Sequence, residues 1–343
     1  MTTNRQWLLH RRPDGEPVAT DFAYREVALP TLLAPGEVML KTVLMHLAPT
    51  MRNWMYEHSE ADLQNPMYLQ MSLGEPVLCP VISRVAASSD PTYPVGSHWF
   101  HFGGWQDWSI VNPSANPTSM ALLPEGIDLR RAMGVLGANG LAAYFGMEKI
   151  GRPKQGEVVV VSSAAGSTGS IAAQIAKIHG CKVIGIAGGR TKCDWLRDVV
   201  RLDGVVDYKA EPVRERIAEL APEGVDVFFD NVGGETLAAL IENMAPHGRI
   251  ALCGQISTYN GDGRSAVSMN MMRMVYWQIR MEGFLMTQWW DEIDAGRAVL
   301  AQWLAEGRIV HREDVRRGFR GIPDTFVELF QGTNEGALMV ELA

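Results

Sequence analysis

The chain has 343 residues, 47% of them hydrophobic and 20% charged, with a formal net charge of −8. At roughly 100–200 residues per domain, that length suggests about two domains with sizeable apolar cores. The acidic balance excludes nucleic acid as the main partner, which needs a clustered basic surface, but leaves room for a local basic pocket that holds one phosphate.

The first twelve residues are polar, carry Arg5, Arg11 and Arg12, and have no apolar core of a secretion signal. No apolar run reaches the roughly 18 residues that a membrane span needs. Residues up to about 130 are rich in proline and in short strand-like runs such as Val38 to Leu44 and Val81 to Ala86. Turn signals such as Ala34-Pro35-Gly36 and Tyr93-Pro94-Val95-Gly96 punctuate them. This rhythm predicts a mostly β, barrel-like domain over residues 1–130.

The pattern changes after Pro124. Arg130 to Ile150 reads as a helix interrupted by Gly134, Gly137 and Gly140. From there apolar strands alternate with amphipathic helices. The strands are Val158 to Val161, Lys182 to Ala187, Val205 to Tyr208, Val225 to Asp230 and Arg249 to Cys253. The helices are Ser170 to His179, Lys192 to Val200, Val213 to Leu220 and Glu235 to Met244. Apolar strands alternating with amphipathic helices predict βαβ units, and hence an α/β domain with a doubly wound parallel sheet over residues 131–295. Residues 296–343, with a helix over Ala295 to Glu306 and a strand over Ala337 to Leu342, are expected to return to the first domain.

The strand Val158 to Val161 runs into Ser162-Ser163-Ala164-Ala165-Gly166-Ser167-Thr168-Gly169, and a helix follows. This is a variant of the dinucleotide fingerprint with Ala164 in the first glycine position. Gly166 lets the backbone approach a pyrophosphate, and Gly169 permits close helix–strand packing. Ser167 and Thr168 lie at the helix N-terminus, where unpaired N–H groups attract phosphate. The second strand ends in Gly188-Gly189-Arg190-Thr191-Lys192, without the carboxylate that grips an NAD ribose. Arg190 and Lys192 would attract a 2′-phosphate instead, so the expected cofactor is NADPH.

Cys79, Cys181, Cys193 and Cys253 show neither CxxC nor Cys/His spacing, and the eight histidines show no metal spacing. No zinc site or disulfide framework is expected. The cysteines read as reduced thiols of a cytoplasmic protein.

Several stretches now combine in order: Gly140-Leu141-Ala142-Ala143-Tyr144-Phe145-Gly146, Ala164 to Gly169, Gly185 to Gly189, Lys192-Cys193, Asp207-Tyr208-Lys209, Asp230-Asn231-Val232-Gly233-Gly234, Gly248 to Asn260, and Met281-Glu282-Gly283-Phe284. In this combination the chain resembles the zinc-free medium-chain reductases that include leukotriene dehydrogenase/prostaglandin reductase, curcumin reductase and plant alkenal double-bond reductases. The resemblance covers most of residues 136–290. It implies a Rossmann-type domain beside a GroES-like barrel domain, no metal, NADPH as cofactor and a homodimer. It also implies that Lys192 and Tyr208 meet the 2′-phosphate and that Asn231 lies along the cofactor. Cys253, Gly254, Gln255, Ile256, Ser257 and Tyr259 would line the nicotinamide half, with Phe284, Leu285 and Met286 beyond, and Asn334 would return to the cofactor.

The first domain departs from that family. Its Asp-Pro-Tyr-Met-Arg motif is Ala48-Pro49-Thr50-Met51-Arg52 here, Asn139 stands where proline is usual, and Ala337 stands where lysine is usual. Thr50, Arg52, Asn139 and Trp289 are the candidates for the substrate end. Trp99, Trp105, Trp108 and Trp290 either wall a flat pocket or pack in cores and interfaces. Met269, Met271, Met272 and Met274 form either an adaptable apolar surface, a buried helix or a dimer contact. His98 and His101 flank Trp99 and Phe100.

The expected activity is reduction of the activated double bond of an α,β-unsaturated ketone or aldehyde, a small-molecule substrate. Hydride goes to the β-carbon and charge builds on the carbonyl oxygen. By resemblance the Tyr259 hydroxyl is the donor aimed at that oxygen. Two alternatives stand beside it. One is a quinone reductase or specialised reductase of an aromatic metabolite on the same scaffold. The other is a non-catalytic NADPH-binding protein.

Overall fold

The computed structural model describes residues 3–65, 67–115, 120–261 and 266–342. The chain divides into two compact units, one running up to Met133 and resuming at Asp314, the other spanning Gly134–Glu313.

The first unit is mostly β. Its strands are β1 (Thr3–Leu9), β2 (Phe22–Ala28), β3 (Val38–Leu47), β4 (Leu78–Ser88), β5 (His98–Gly104), β6 (Trp108–Val111) and β7 (Met120–Leu122). The second unit supplies β8 (Val158–Val161), β9 (Lys182–Ala187), β10 (Gly204–Asp207), β11 (Val225–Asp230), β12 (Met244–Leu252) and β13 (Arg280–Gly283). The first unit then resumes with β14 (Glu313–Arg317) and β15 (Ala337–Glu341).

In the first unit, β1 and β2 form an antiparallel pair. A larger sheet has the order β14-β15-β3-β4-β5-β7, with β6 also paired to β3. Its main core gathers Leu9, Phe22, Met45, Met51, Trp105, Phe326, Leu338 and Val340. The Trp105 ring sits 4.9 Å from Phe22 and 5.4 Å from Phe326. Trp105 is 0% exposed and Trp99 is 7%, so both are packing residues rather than pocket walls.

The second unit is a six-stranded sheet of order β10-β9-β8-β11-β12-β13, parallel in every described pairing. Val159, Val160, Val161, Phe228 and Phe229 are fully buried, as expected for central strands covered by helices on both faces. The helix expected over Arg130 to Ile150 is broken: Leu129–Met133 belongs to the first unit, and a new helix runs over Ala138–Phe145 after an N-cap at Gly137. The helix Ile293–Ala305 packs in the second unit, where Leu300 lies 3.3 Å from the place a Cβ on Gly140 would occupy. The return to the first unit therefore starts at Asp314 and not at 296. No helix among the described residues is long and apolar enough to cross a membrane.

Candidate cofactor and active site

The strand order places β8 beside β11, with β9 and β10 continuing on one side and β12 and β13 on the other. Chain connections diverge at that point, which opens a crevice at the carboxyl ends of the two strands. Everything that leaves β8 and β11 at those ends is tied together by hydrogen bonds.

The turn after β8 is held tightly. Ser162 donates its N–H to Phe229 O at 3.1 Å and Ala164 to Ile186 O at 2.9 Å, while Ser163 takes a φ of 50°. Gly166 then caps the helix Ser167–Ile178. A Cβ on Gly169 would lie 2.3 Å from Ser163 O, so only glycine lets the first turn of the helix pack against this loop. The first N–H groups of a helix have no intrahelical acceptor, and with the helix dipole they make a cradle that fits a pyrophosphate. Asn139 belongs to this cradle: its Nδ2 donates to Ser167 Oγ at 2.8 Å. It was expected at the substrate end, and the contact moves it to the phosphate end.

Ser162 and Asp230, two residues to which the sequence pattern gave no role of their own, lock the crevice. Both are 0% exposed, and Ser162 Oγ donates to Asp230 Oδ1 at 2.8 Å. Asp230 also accepts from the N–H groups of Val232 at 2.9 Å and Gly233 at 3.1 Å. Burial raises the Asp230 carboxyl above its ordinary value, and these donors partly offset that. Asn231 donates its N–H to Ser162 Oγ at 2.8 Å and its Nδ2 to Ser162 O at 2.7 Å. The amide that the family resemblance assigns to the cofactor is thus also part of the frame.

The loop after β12 is laid against the loop after β11. Cys253 and Gly254 donate to Asp230 O at 2.8 and 3.1 Å, Ile256 to Asn231 O at 3.3 Å, and Ser257 to Val232 O at 3.1 Å. Tyr259 folds back over this loop, its hydroxyl accepting from Gln255 N–H at 3.3 Å. A Cβ on Gly254 would sit 2.9 Å from that hydroxyl, so glycine there makes room for the phenol. The bond uses a lone pair of the phenol oxygen and not its proton. Burial, with Asp230 nearby, pushes the Cys253 thiol up to about 12, so it stays protonated at neutral pH.

At the other end of the crevice, the turn after β9 is held by Asp207. Its carboxylate accepts from Gly189 N–H at 2.8 Å and Lys209 N–H at 3.0 Å. Tyr208, 54% exposed, lays its ring on Gly188, where a Cβ would lie 2.6 Å from a ring carbon. Lys192 is half-buried on the first turn of the helix Arg190–Asp198. Arg190 is exposed and pairs with Asp194 at 3.4 Å. These side chains make a basic, aromatic rim that fits a phosphorylated ribose.

Not every expected residue lines the crevice. Phe284 is 7% exposed, its ring 6.1 Å from both Phe229 and Trp289, while Trp289 stacks on Phe145 at 5.3 Å. Phe284 and Trp289 are therefore committed to packing within the second unit. Leu285 is 50% exposed, and Met286 opens the short turn Met286–Glu292.

Three expected residues lie in the first unit. Thr50 is half-buried before the short helix Met51–Trp54, and Asn334 folds onto its own loop through Gly336 O at 2.9 Å. Arg52 is 1% exposed and clasps Pro13 O at 2.9 Å and Gly15 O at 3.1 Å beneath Tyr56. Those contacts make it a brace for the 13–15 turn rather than a surface for substrate. His101 is also buried there, paired with Ser83 Oγ at 2.9 Å. Among the described residues, no group of three or more His, Cys, Asp and Glu side chains is placed to hold a metal ion.

Residues 5–118 match a family described as the N-terminal domain of oxidoreductase, and residues 167–302 match one described as zinc-binding dehydrogenase. The chain is 33% identical over 347 residues to the NADPH-dependent curcumin reductase of Escherichia coli, covering 99% of this chain and 97% of that one. It is 36% identical over 343 residues to prostaglandin reductase 1 of Bos taurus, covering 99% and 100%. Among solved structures, CurA from Vibrio vulnificus in complex with NADPH matches with a TM-score of 0.90 and 33% identity, over 99% of each chain.

Proposed function

The chain belongs to the medium-chain dehydrogenase/reductase family, in the branch of curcumin reductase and prostaglandin reductase 1, and from that premise we propose that it is an NADPH-dependent reductase of the activated carbon–carbon double bond of an α,β-unsaturated ketone or aldehyde. The observation that carries this reading is the crevice at the ends of β8 and β11, where a glycine-tight phosphate loop and the Tyr259 phenol are built on one hydrogen-bonded frame.

The residues take roles by position. Gly166, Ser167, Thr168 and Gly169 hold the pyrophosphate at the helix N-terminus. Lys192, Arg190 and Tyr208 hold the 2′-phosphate, and no carboxylate in the turn Gly188–Lys192 opposes it. Asn231 and the run Cys253, Gly254, Gln255, Ile256 and Ser257 orient the nicotinamide half, with Leu285 and Met286 beyond. NADPH supplies the hydride. Tyr259 donates its phenol proton in a hydrogen bond to the substrate carbonyl oxygen, where charge builds as the β-carbon is reduced. The family resemblance assigns Asn334 to the cofactor and Thr50 to the substrate end.

The same reading takes the protein to be a zinc-independent cytoplasmic homodimer. The dispersed free cysteines support the first two attributes. The edge position of β13, with Met271, Met272, Val275 and Tyr276 exposed on the helix that precedes it, supports the third.

The test is a titration of purified protein with NADPH and NADH, followed by NADPH oxidation with a panel of enones, enals and quinones. Tighter NADPH binding with enone or enal turnover is expected. Turnover of quinones alone would move the activity to the alternative substrate class, and NADPH binding with no turnover on any acceptor would leave a binding protein.

A further inference from the structure

The Asn139 side chain reaches the hydroxyl of Ser167, the first residue of the helix that follows the glycine loop. We propose that Asn139 is a positioning residue that turns the Ser167 hydroxyl into a dedicated donor to the cofactor pyrophosphate; this rests on the NADPH reading above.

The chemistry follows from counting donors and acceptors. A serine hydroxyl has one proton and two lone pairs, and an amide nitrogen can only donate. The Nδ2···Oγ contact of 2.8 Å therefore occupies a lone pair of Ser167 and leaves its proton to be given elsewhere. Ser167 is the first residue of the twelve-residue helix Ser167–Ile178, directly after Gly166, in the turn whose unpaired N–H groups would face the phosphates. Asn139 is itself fixed, in the first turn of the helix Ala138–Phe145 behind its N-cap Gly137. A residue without a side-chain donor at this position would leave the Ser167 hydroxyl unoriented.

The experiment measures dissociation constants of NADPH and of adenosine 2′-monophosphate for the wild type, Asn139→Pro, Asn139→Asp, Ser167→Ala and the double variant Asn139→Pro/Ser167→Ala. Proline is tolerated in the first turn of a helix, so Asn139→Pro removes the donor without breaking the helix. Asn139→Pro is expected to weaken NADPH about 3- to 10-fold, the worth of one hydrogen bond. Asn139→Asp is expected to weaken it more, because its carboxylate accepts the Ser167 proton and repels the pyrophosphate.

Adenosine 2′-monophosphate has no pyrophosphate, so its binding should move by less than about twofold in every variant. The double variant should be no weaker than Ser167→Ala alone. Unchanged NADPH affinity in Asn139→Pro, additive losses in the double variant, or equal weakening of both ligands with a lowered melting temperature would overturn the proposal. A wild-type protein that binds neither ligand would sink the NADPH reading itself, and this proposal with it.

Discussion

The Ser162 hydroxyl donates to Asp230 at 2.8 Å and so joins the ends of β8 and β11, the two strands between which the sheet changes winding direction. Removing the carboxylate leaves the Ser162 hydroxyl and the Val232 and Gly233 N–H groups without their acceptor in a fully buried place. Asp230→Ala should lose about 3 kcal/mol of stability, and Ser162→Ala about 1–2 kcal/mol. Urea denaturation measures both. Because the loops on either side are the ones proposed to contact the cofactor, NADPH affinity should fall alongside. A loss below 0.5 kcal/mol in Asp230→Ala, a figure of roughly the size of a surface substitution, would show that this pair does not frame the crevice.

The role proposed for Lys192 is to set cofactor choice. A charge-assisted hydrogen bond contributes about 1.5–3 kcal/mol, which is roughly 10- to 100-fold in affinity. Lys192→Ala should weaken NADPH by that factor and leave NADH nearly unchanged, collapsing the ratio of the two. Dissociation constants from fluorescence titration separate the ligands directly. Equal losses for both would move the 2′-phosphate contact to Arg190 and Tyr208.

Tyr259→Phe removes one hydroxyl and keeps the ring. Loss of a donor aimed at a developing oxyanion costs about 100-fold or more in kcat. The same variant should bind NADPH within about threefold of the wild type, since the expected loss is confined to an interaction made in the transition state. Steady-state kinetics at saturating NADPH read the first quantity. Full activity in the variant would assign the donor role to another group.

His46 and His101 give the first unit a pH dependence with a definite sign. Both are buried, and burial holds each near 4 instead of the ordinary 6.5. An unfolded chain takes these protons near 6.5, while the folded chain declines them until about 4. Stability is therefore complete above pH ~6.5 and falls as the pH drops toward 4, by on the order of 3 kcal/mol per histidine. The urea midpoint should be lower at pH 5 than at pH 7, and His101→Gln should shrink that difference. A midpoint identical at the two pH values would contradict the buried neutral state.

The second unit is the more legible part of the chain. Val158–Val161 is a continuous apolar run and Lys182–Ala187 and Val225–Asp230 are mostly apolar because helices cover both faces of their sheet, and the observed strands have the same limits. Gly169 was legible too, since a helix packed on a strand end leaves no room for a side chain there. What stayed hidden depends on pairs far apart in the chain. Ser162 and Asp230 meet across 68 residues, and nothing local to either marks the bond. Asp207 reads as a strand-end acid until its bond to Gly189 is seen. Phe284 closes a matched motif and Trp289 was a candidate for the substrate end, but both spend their rings on packing, a choice that neighbours make and sequence spacing does not. Arg52 looks like a site cation in its motif, and only its burial against the carbonyls of Pro13 and Gly15 shows otherwise.

The pairing of β3 with β15 sets Leu47 opposite Leu338, on either side of the entire second unit. Loop closure of that length is entropically slow, whereas the contacts inside Gly134–Glu313 are nearer neighbours in the chain. During synthesis the cofactor unit can finish folding while the Leu44–Leu47 half of one β3 edge is still unpaired, β6 covering only Val38 to Lys41. Until β15 leaves the ribosome that edge is open to wrong partners, and the aggregation hazard of this protein is concentrated in that interval.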